Sequence, residues 1–144
     1  MSRANEAAAC FDQGFNCAQA VFSTYCEQLG MDKKTGLKTA CGFGAGMGRL
    51  GDTCGAVTGA YLLIGLKHGK CEMDDNPSKE KTYELVQEFD RRFKERNGST
   101  KCRELIKTDF LTGDQQLAVA QVKAVCPGLV RDAAEIIEDM LFLE

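Results

Sequence analysis

The residues best able to do chemistry in this chain are its eight cysteines, which stand beside a single histidine. A cysteine acts through its thiolate, either as a nucleophile or as a metal ligand. Four of the eight fall next to helix-start signals. Cys17 follows Asn16, Cys54 follows Asp52-Thr53, Cys102 follows Ser99-Thr100, and Cys126 precedes Pro127. Asn, Asp, Ser and Thr are helix caps, and proline is favoured in a first turn. At a helix amino terminus, unpaired N–H groups and the helix dipole favour negative charge, which lowers a thiol's pKa. The expectation is that Cys17, Cys54, Cys102 and Cys126 converge at one site. They would serve there as thiolate ligands of a metal or cluster, or as redox thiols cycling between dithiol and disulfide. The sequence leaves that choice open.

The spacing also excludes chemistry. No Cys-x-x-Cys pair occurs, so thioredoxin-like dithiols, most zinc ribbons and bacterial ferredoxin runs are set aside. CxxCH is absent, which excludes covalent haem attachment. One histidine cannot supply a Rieske cluster. That residue, His68, is expected at a helix carboxyl end, in a structural or exposed role. Cys10, Cys26 and Cys41 read as small apolar packing residues, and Cys71 falls in a polar loop. Gly46-Met47-Gly48-Arg49-Leu50-Gly51 fits GxGxxG, but a nucleotide fingerprint needs a strand before it, and here a helix is expected on either side. These glycines read instead as tight turning beside Cys54, leaving room for a cofactor or presenting N–H groups to an anion. Gly44, Gly46, Gly48 and Gly55 are the cofactor-binding candidates.

The elements that must position these residues are helical. Apolar residues recur at helical spacing almost throughout, and no convincing strand alternation appears. A first helix carries Ala4, Ala7, Ala8 and Phe11 and is interrupted by Gly14. Asn16 caps a second, with Ala18, Val21, Phe22, Tyr25, Cys26 and Leu29, and Gly30 is its left-handed stop. A short third carries Leu37, Ala40 and Cys41. Residues 42–51 hold too many glycines for a stable helix and read as a loop with unusual backbone angles. Asp52 or Thr53 should cap a fourth helix, apolar nearly all round to about Leu66, as a central helix is. Gly51, Gly55 and Gly59 leave one side of it open to a close neighbour. A charged helix runs from about Pro77 to Arg96, a short one holds Cys102, one starts at Asp114, and Pro127 opens the last. The reading is an all-α, single-domain bundle of about six to seven helices.

A chain of 144 residues can bury a sizeable core and does not need disulfides or zinc to fold. Its net charge is -3 with interspersed signs, which argues against nucleic-acid binding. The amino terminus lacks a signal peptide's apolar core. The longest apolar run, Cys54 to Leu66, falls short of the roughly 20 residues a membrane span needs. A cytoplasmic protein with reduced cysteines is therefore expected.

Three segments together resemble a known family. They are Phe15-Asn16-Cys17-Ala18-Gln19-Ala20-Val21, the glycine-rich Phe43-Gly44-Ala45-Gly46-Met47, and Cys54-Gly55-Ala56-Val57-Thr58-Gly59-Ala60. They are similar to the proteins labelled redox-active on the strength of four cysteines and a CGAxxG motif. Cys102 and Cys126 fall where that pattern places its third and fourth cysteines. The label rests on the cysteines and on neighbouring oxidoreductase and transporter genes, and the family has no settled reaction. The resemblance implies a redox role with an iron–sulfur site as one option and a partner protein that exchanges electrons. The alternative is a helical binding module that holds a small ligand, a metal in transit or a partner without turnover. A zinc-stabilised structural domain is a third reading. The partner and the oligomer are not specified by the sequence.

Overall fold

The computed structural model describes residues 2–143. Among them are seven right-handed α-helices, as expected: α1 (Ala4–Asp12), α2 (Cys17–Tyr25), α3 (Lys33–Ala40), α4 (Gly55–His68), α5 (Asn76–Asn97), α6 (Cys102–Leu105) and α7 (Gln115–Ile137). Helix α4 is central, packed against α2, α5 and α7, while α1 lies on α7. Its buried face carries Val57, Ala60, Leu63 and Ile64. Gly55 and Gly59 let α2 approach its backbone: a Cβ on Gly59 would lie 2.8 Å from the Ala18 carbonyl oxygen. Gly51 precedes the helix and takes no part in this contact. Midway along α4, Tyr61 meets the edge of Phe89 at 5.8 Å, and Phe89 stacks on Phe93 at 5.9 Å.

Local signals in the sequence decide most boundaries. The Asn16 side chain accepts from the Gln19 N–H at 2.9 Å, and the Gln19 side chain accepts from the Asn16 N–H at 3.0 Å. This reciprocal cap satisfies two otherwise unpaired donors. Gly30 ends the turn after α2 with φ 95°. Asp75 and Asp114 cap α5 and α7. The charge run of α5 forms local ion pairs, among them Arg91 with Glu88 and Glu95, on a solvated face.

Three expected boundaries differ. Pro127 does not open a helix: α7 runs through it unbroken, so Cys126 is a mid-helix residue. A proline there forfeits the bond to the Lys123 carbonyl and costs up to about 3 kcal/mol. The continuous buried stripe of Leu129, Val130, Ala133, Ala134, Ile136 and Ile137 offsets that cost. At α4 the capping position is Cys54 itself, not Asp52 or Thr53. At α6 it is Lys101, not Ser99 or Thr100, because the Ser99 hydroxyl accepts from the Lys101 N–H and is drawn to Glu104.

The glycine-rich segment has the unusual backbone that was expected, in an extreme form. Ala45, Gly46, Met47, Gly48 and Arg49 all have positive φ, between 56° and 71°. The Gly48 N–H donates to the Gly44 carbonyl at 2.8 Å, closing one turn of left-handed helix. Such a turn costs about 1–2 kcal/mol for each L-residue with a side chain, here Ala45, Met47 and Arg49. It is held from outside, since the Gly46 carbonyl accepts the Asp52 N–H at 2.9 Å. No helix among the described residues is long and apolar enough to cross a membrane.

Candidate functional site

Each of the four cysteines is placed by a different device. Cys17 is the first residue of α2, directly after the Asn16 cap. Asn16 also donates to the Cys41 carbonyl at 2.9 Å, which ties α2 to the start of the glycine-rich segment. Cys54 and Cys102 are brought together by an antiparallel bridge between Thr53 and Lys101. Around it the Cys54 N–H donates to the Thr100 carbonyl at 2.7 Å, and the Cys102 N–H donates to the Asp52 carbonyl at 2.6 Å. The left-handed turn packs under this bridge: a Cβ on Gly46 would come within 2.7 Å of the Cys102 Cβ. Cys126 comes from the middle of α7, one residue before Pro127.

All four line one cavity of about 1030 Å³, at the upper end of the size of small-molecule sites. Its wall is mainly apolar, with Phe11, Phe15, Ile106, Phe110 and Val122. The cysteines are only 3–7% exposed, so their sulfur is reached through the cavity alone. Cys10, Cys26, Cys41, Cys71 and His68 do not line it. Cys10 and Cys26 are buried in the core, as their reading as packing residues requires. Cys41 is exposed, which corrects that reading for the third; it lies in the tight turn that closes α3. Cys71 is exposed in its loop, and His68 ends α4 half-buried. Burial, with Lys67 and Lys81 nearby, holds the His68 imidazole below its ordinary pKa.

Of the four glycines, Gly55 lines the cavity. Gly44 and Gly46 are buried, and a side chain on either would collide with Asn16 or Cys102 respectively. Gly48 is exposed in the left-handed turn, with φ 62°. Gly44 and Gly46 support the wall from behind rather than form it, and Gly48 takes no part in it.

The electrostatics reverse the expectation from helix ends. Cys54 is pushed up to about 12 by burial, although the N–H groups of Ala56 and Val57 pull the other way. Burial also pushes Cys102 up to about 12, with the charge of Cys126 adding to it. Cys17 is raised by its hydrogen bond to Cys126, then by burial and by the charges of the other three cysteines. The one thiol held below its ordinary value is Cys126, because the neighbouring Cys17 thiol favours its charged form. A dipole at a helix end is worth at most about 2 kcal/mol, less than the desolvation of a fully buried thiolate. Cys126, the cysteine with no helix end at all, is the most acidic of the four.

A family model described as "Putative redox-active protein (C_GCAxxG_C_C)" matches residues 15–140. The chain belongs to this family. The matched span takes in all four cysteines of the cavity and leaves out Cys10. Comparison with curated proteins and with solved structures gives no match. The order of motifs in the family pattern has a physical reading in this chain. The Asn16-Cys17 segment caps α2, the glycine-rich segment is the left-handed turn, and Cys54-Gly55-Ala56 starts the central helix.

Sequence reasoning did not anticipate the segment from Ile106 to Gln115, which closes one side of the cavity. Its shape comes from a left-handed Lys107 and from Asp109 accepting the N–H groups of Leu111 and Thr112. The Asp109 Asx-turn signal was present in the sequence, but nothing local indicated what it faces. Among the described residues, no three Cys, His, Asp or Glu side chains gather as ligands of one ion.

Proposed function

We propose that this protein is a thiol–disulfide redox protein in which Cys17 and Cys126 are the exchanging pair. The observation that carries this reading is that both thiols line the wall of one cavity, where each shifts the other's acidity in opposite directions. Two thiols that share one cavity wall can join across it, and the thiolate of the more acidic one is the attacking form. The co-reactant is an external disulfide. The Cys126 thiolate attacks one of its sulfur atoms, a mixed disulfide forms, and the first external thiolate leaves. Cys17 gives up its proton and attacks the Cys126 sulfur, and the second external thiolate leaves. The protein loses two electrons and two protons to form the Cys17–Cys126 disulfide, and the external disulfide becomes two thiols. Run backwards, the same steps oxidise a dithiol. Cys54 and Cys102, held protonated by burial, stand by as unreactive neighbours.

The test is equilibration in glutathione buffers of graded potential, followed by alkylation and mass measurement. Two thiols should disappear together with one midpoint, and Cys126→Ser should remove that transition. A transition unchanged in Cys126→Ser would overturn the reading. A second reading is favoured by one observation, that four buried thiols share a single cavity and each acts electrostatically on others. Cys17, Cys54, Cys102 and Cys126 would then hold a bridged iron–sulfur cluster, which supplies one-electron transfer when bound. Stoichiometric iron and sulfide in protein purified without oxygen would favour it over the dithiol couple.

A further inference from the structure

We propose that the cavity takes a small organic disulfide bearing a carboxylate, with Arg49 and Lys123 holding the anionic group; this rests on the dithiol reading of Cys17 and Cys126. Three observations carry it. First, Cys17 and Cys126 are 7% and 5% exposed, so a disulfide on the surface of a folded protein does not reach them. The co-reactant must be small enough to enter a space of about 1030 Å³. Second, the wall demands an apolar body, with Phe11, Phe15, Phe110 and Val122 facing the space. Third, the charged residues in the wall are Arg49, Lys123 and Asp12, a cationic excess in a chain whose net charge is -3.

The two cations are free to bind. Among the described residues neither forms an ion pair, whereas Arg103, nearby, is drawn to Asp52 at 3.8 Å. Both are exposed at the cavity mouth. Lys123 stands three residues before Cys126 on α7, which places the two on one face of that helix. Arg49 ends the left-handed turn with φ 71°, so the strained segment that supports Cys102 also sets the position of this guanidinium. A carboxylate at the mouth would leave the apolar part of the molecule, and its sulfur atoms, directed inward to the thiols. Guanidinium and ammonium groups recognise a carboxylate by charge-assisted hydrogen bonds.

The test compares two disulfide probes on protein carrying Cys41→Ser and Cys71→Ser, which removes the exposed thiols. One probe is 5,5′-dithiobis(2-nitrobenzoate), which bears two carboxylates; the other is neutral 4,4′-dithiodipyridine. In Arg49→Gln/Lys123→Gln, the second-order rate with the anionic probe should fall about tenfold, and the rate with the neutral probe should stay within about twofold. Lys123→Gln alone, at an exposed helix position, should give roughly a third of the wild-type anionic rate. Lys81→Gln removes the same charge beside His68, at the opposite end of α4 from Cys54, and should change neither rate. If the neutral probe yields the Cys17–Cys126 disulfide and the charge variants leave both rates alone, the carboxylate site is refuted while the redox pair stands. If the neutral probe leaves Cys17 and Cys126 unjoined, the redox pair falls and the substrate assignment falls with it.

Discussion

Cys26 and Cys54 are equally hidden from solvent, yet they live in different regions and are suited to different work. Cys26 sits in solid packing: its sulfur faces the carbonyls of Ser23 and Asp32 at 3.8 and 3.9 Å. Gly36 packs so closely below that an added Cβ would lie 2.5 Å from that sulfur. Cys10 is similar, with the Ser23 hydroxyl at 3.8 Å. Cys54 looks into an open cavity that it shares with three other cysteines. Burial alone therefore says little about a cysteine's role. What distinguishes the two regions is whether a buried sulfur faces atoms already in place or a space that something else can fill.

The largest expected effect comes from the turn that supports the cavity. Gly46→Val puts a β-branched side chain at φ 66°, against Asp52 and Cys102. It should cost about 4 kcal/mol or more, whereas Cys10→Ala in the packed region should cost about 1–2 kcal/mol. Urea denaturation midpoints measure both, and equal shifts would contradict the assigned strain.

Alkaline pH should separate the regions next. The thiol of Cys54 is raised from 9.0 to about 12 in the folded protein. A raised folded value means that the folded state binds the proton more tightly. The contribution is complete below about pH 9 and is lost as pH rises from about 9 to about 12, to an extent on the order of 4 kcal/mol. Cys54→Ala should flatten this limb of the stability curve. Cys17, Cys102, Tyr25 and Tyr61 are also raised and would keep part of the slope in both proteins. An unchanged slope in the variant would remove Cys54 as its source.

A smaller effect sharpens the packed side of the comparison. Gly36→Ala should cost about 1–3 kcal/mol by overpacking against Cys26. The double variant Gly36→Ala/Cys26→Ala should recover part of that loss, because the deleted sulfur vacates the space the methyl needs. Strict additivity would show that the two do not share that space. Smallest of all, Cys71→Ser should change stability by less than about 0.5 kcal/mol, since the residue is exposed in a loop.

What could be read from the sequence was governed by short-range chemistry. The Asn16 cap, the Gly30 stop, the apolar central helix and the ion pairs of α5 each depend on residues within a few positions. So does the presence of odd backbone angles in a run of glycines, although neither the handedness nor the inclusion of Ala45, Met47 and Arg49 could be foreseen. Pro127 misled because a proline suits a first turn, and the tertiary packing that carries α7 across it is not a local property. The Thr53–Lys101 bridge, which joins Cys54 to Cys102, links residues far apart in the chain and leaves no local trace. Cys17, Cys54, Cys102 and Cys126 all line one cavity, and their acidities do not follow the helix-end argument from which the sequence reading grouped them. Helix ends were to have made all four acidic. Burial prevails at Cys54 and Cys102, and the mutual influence of Cys17 and Cys126 decides the other two.

The most direct measurement is a disulfide map of the folded protein after mild oxidation by diamide, read from proteolytic peptides by mass spectrometry. The account expects one cross-linked pair, the Cys17 peptide joined to the Cys126 peptide, with Cys10 and Cys26 still free. Cys17 and Cys126 both recovered as free thiols, or either one joined to a different cysteine, would contradict it.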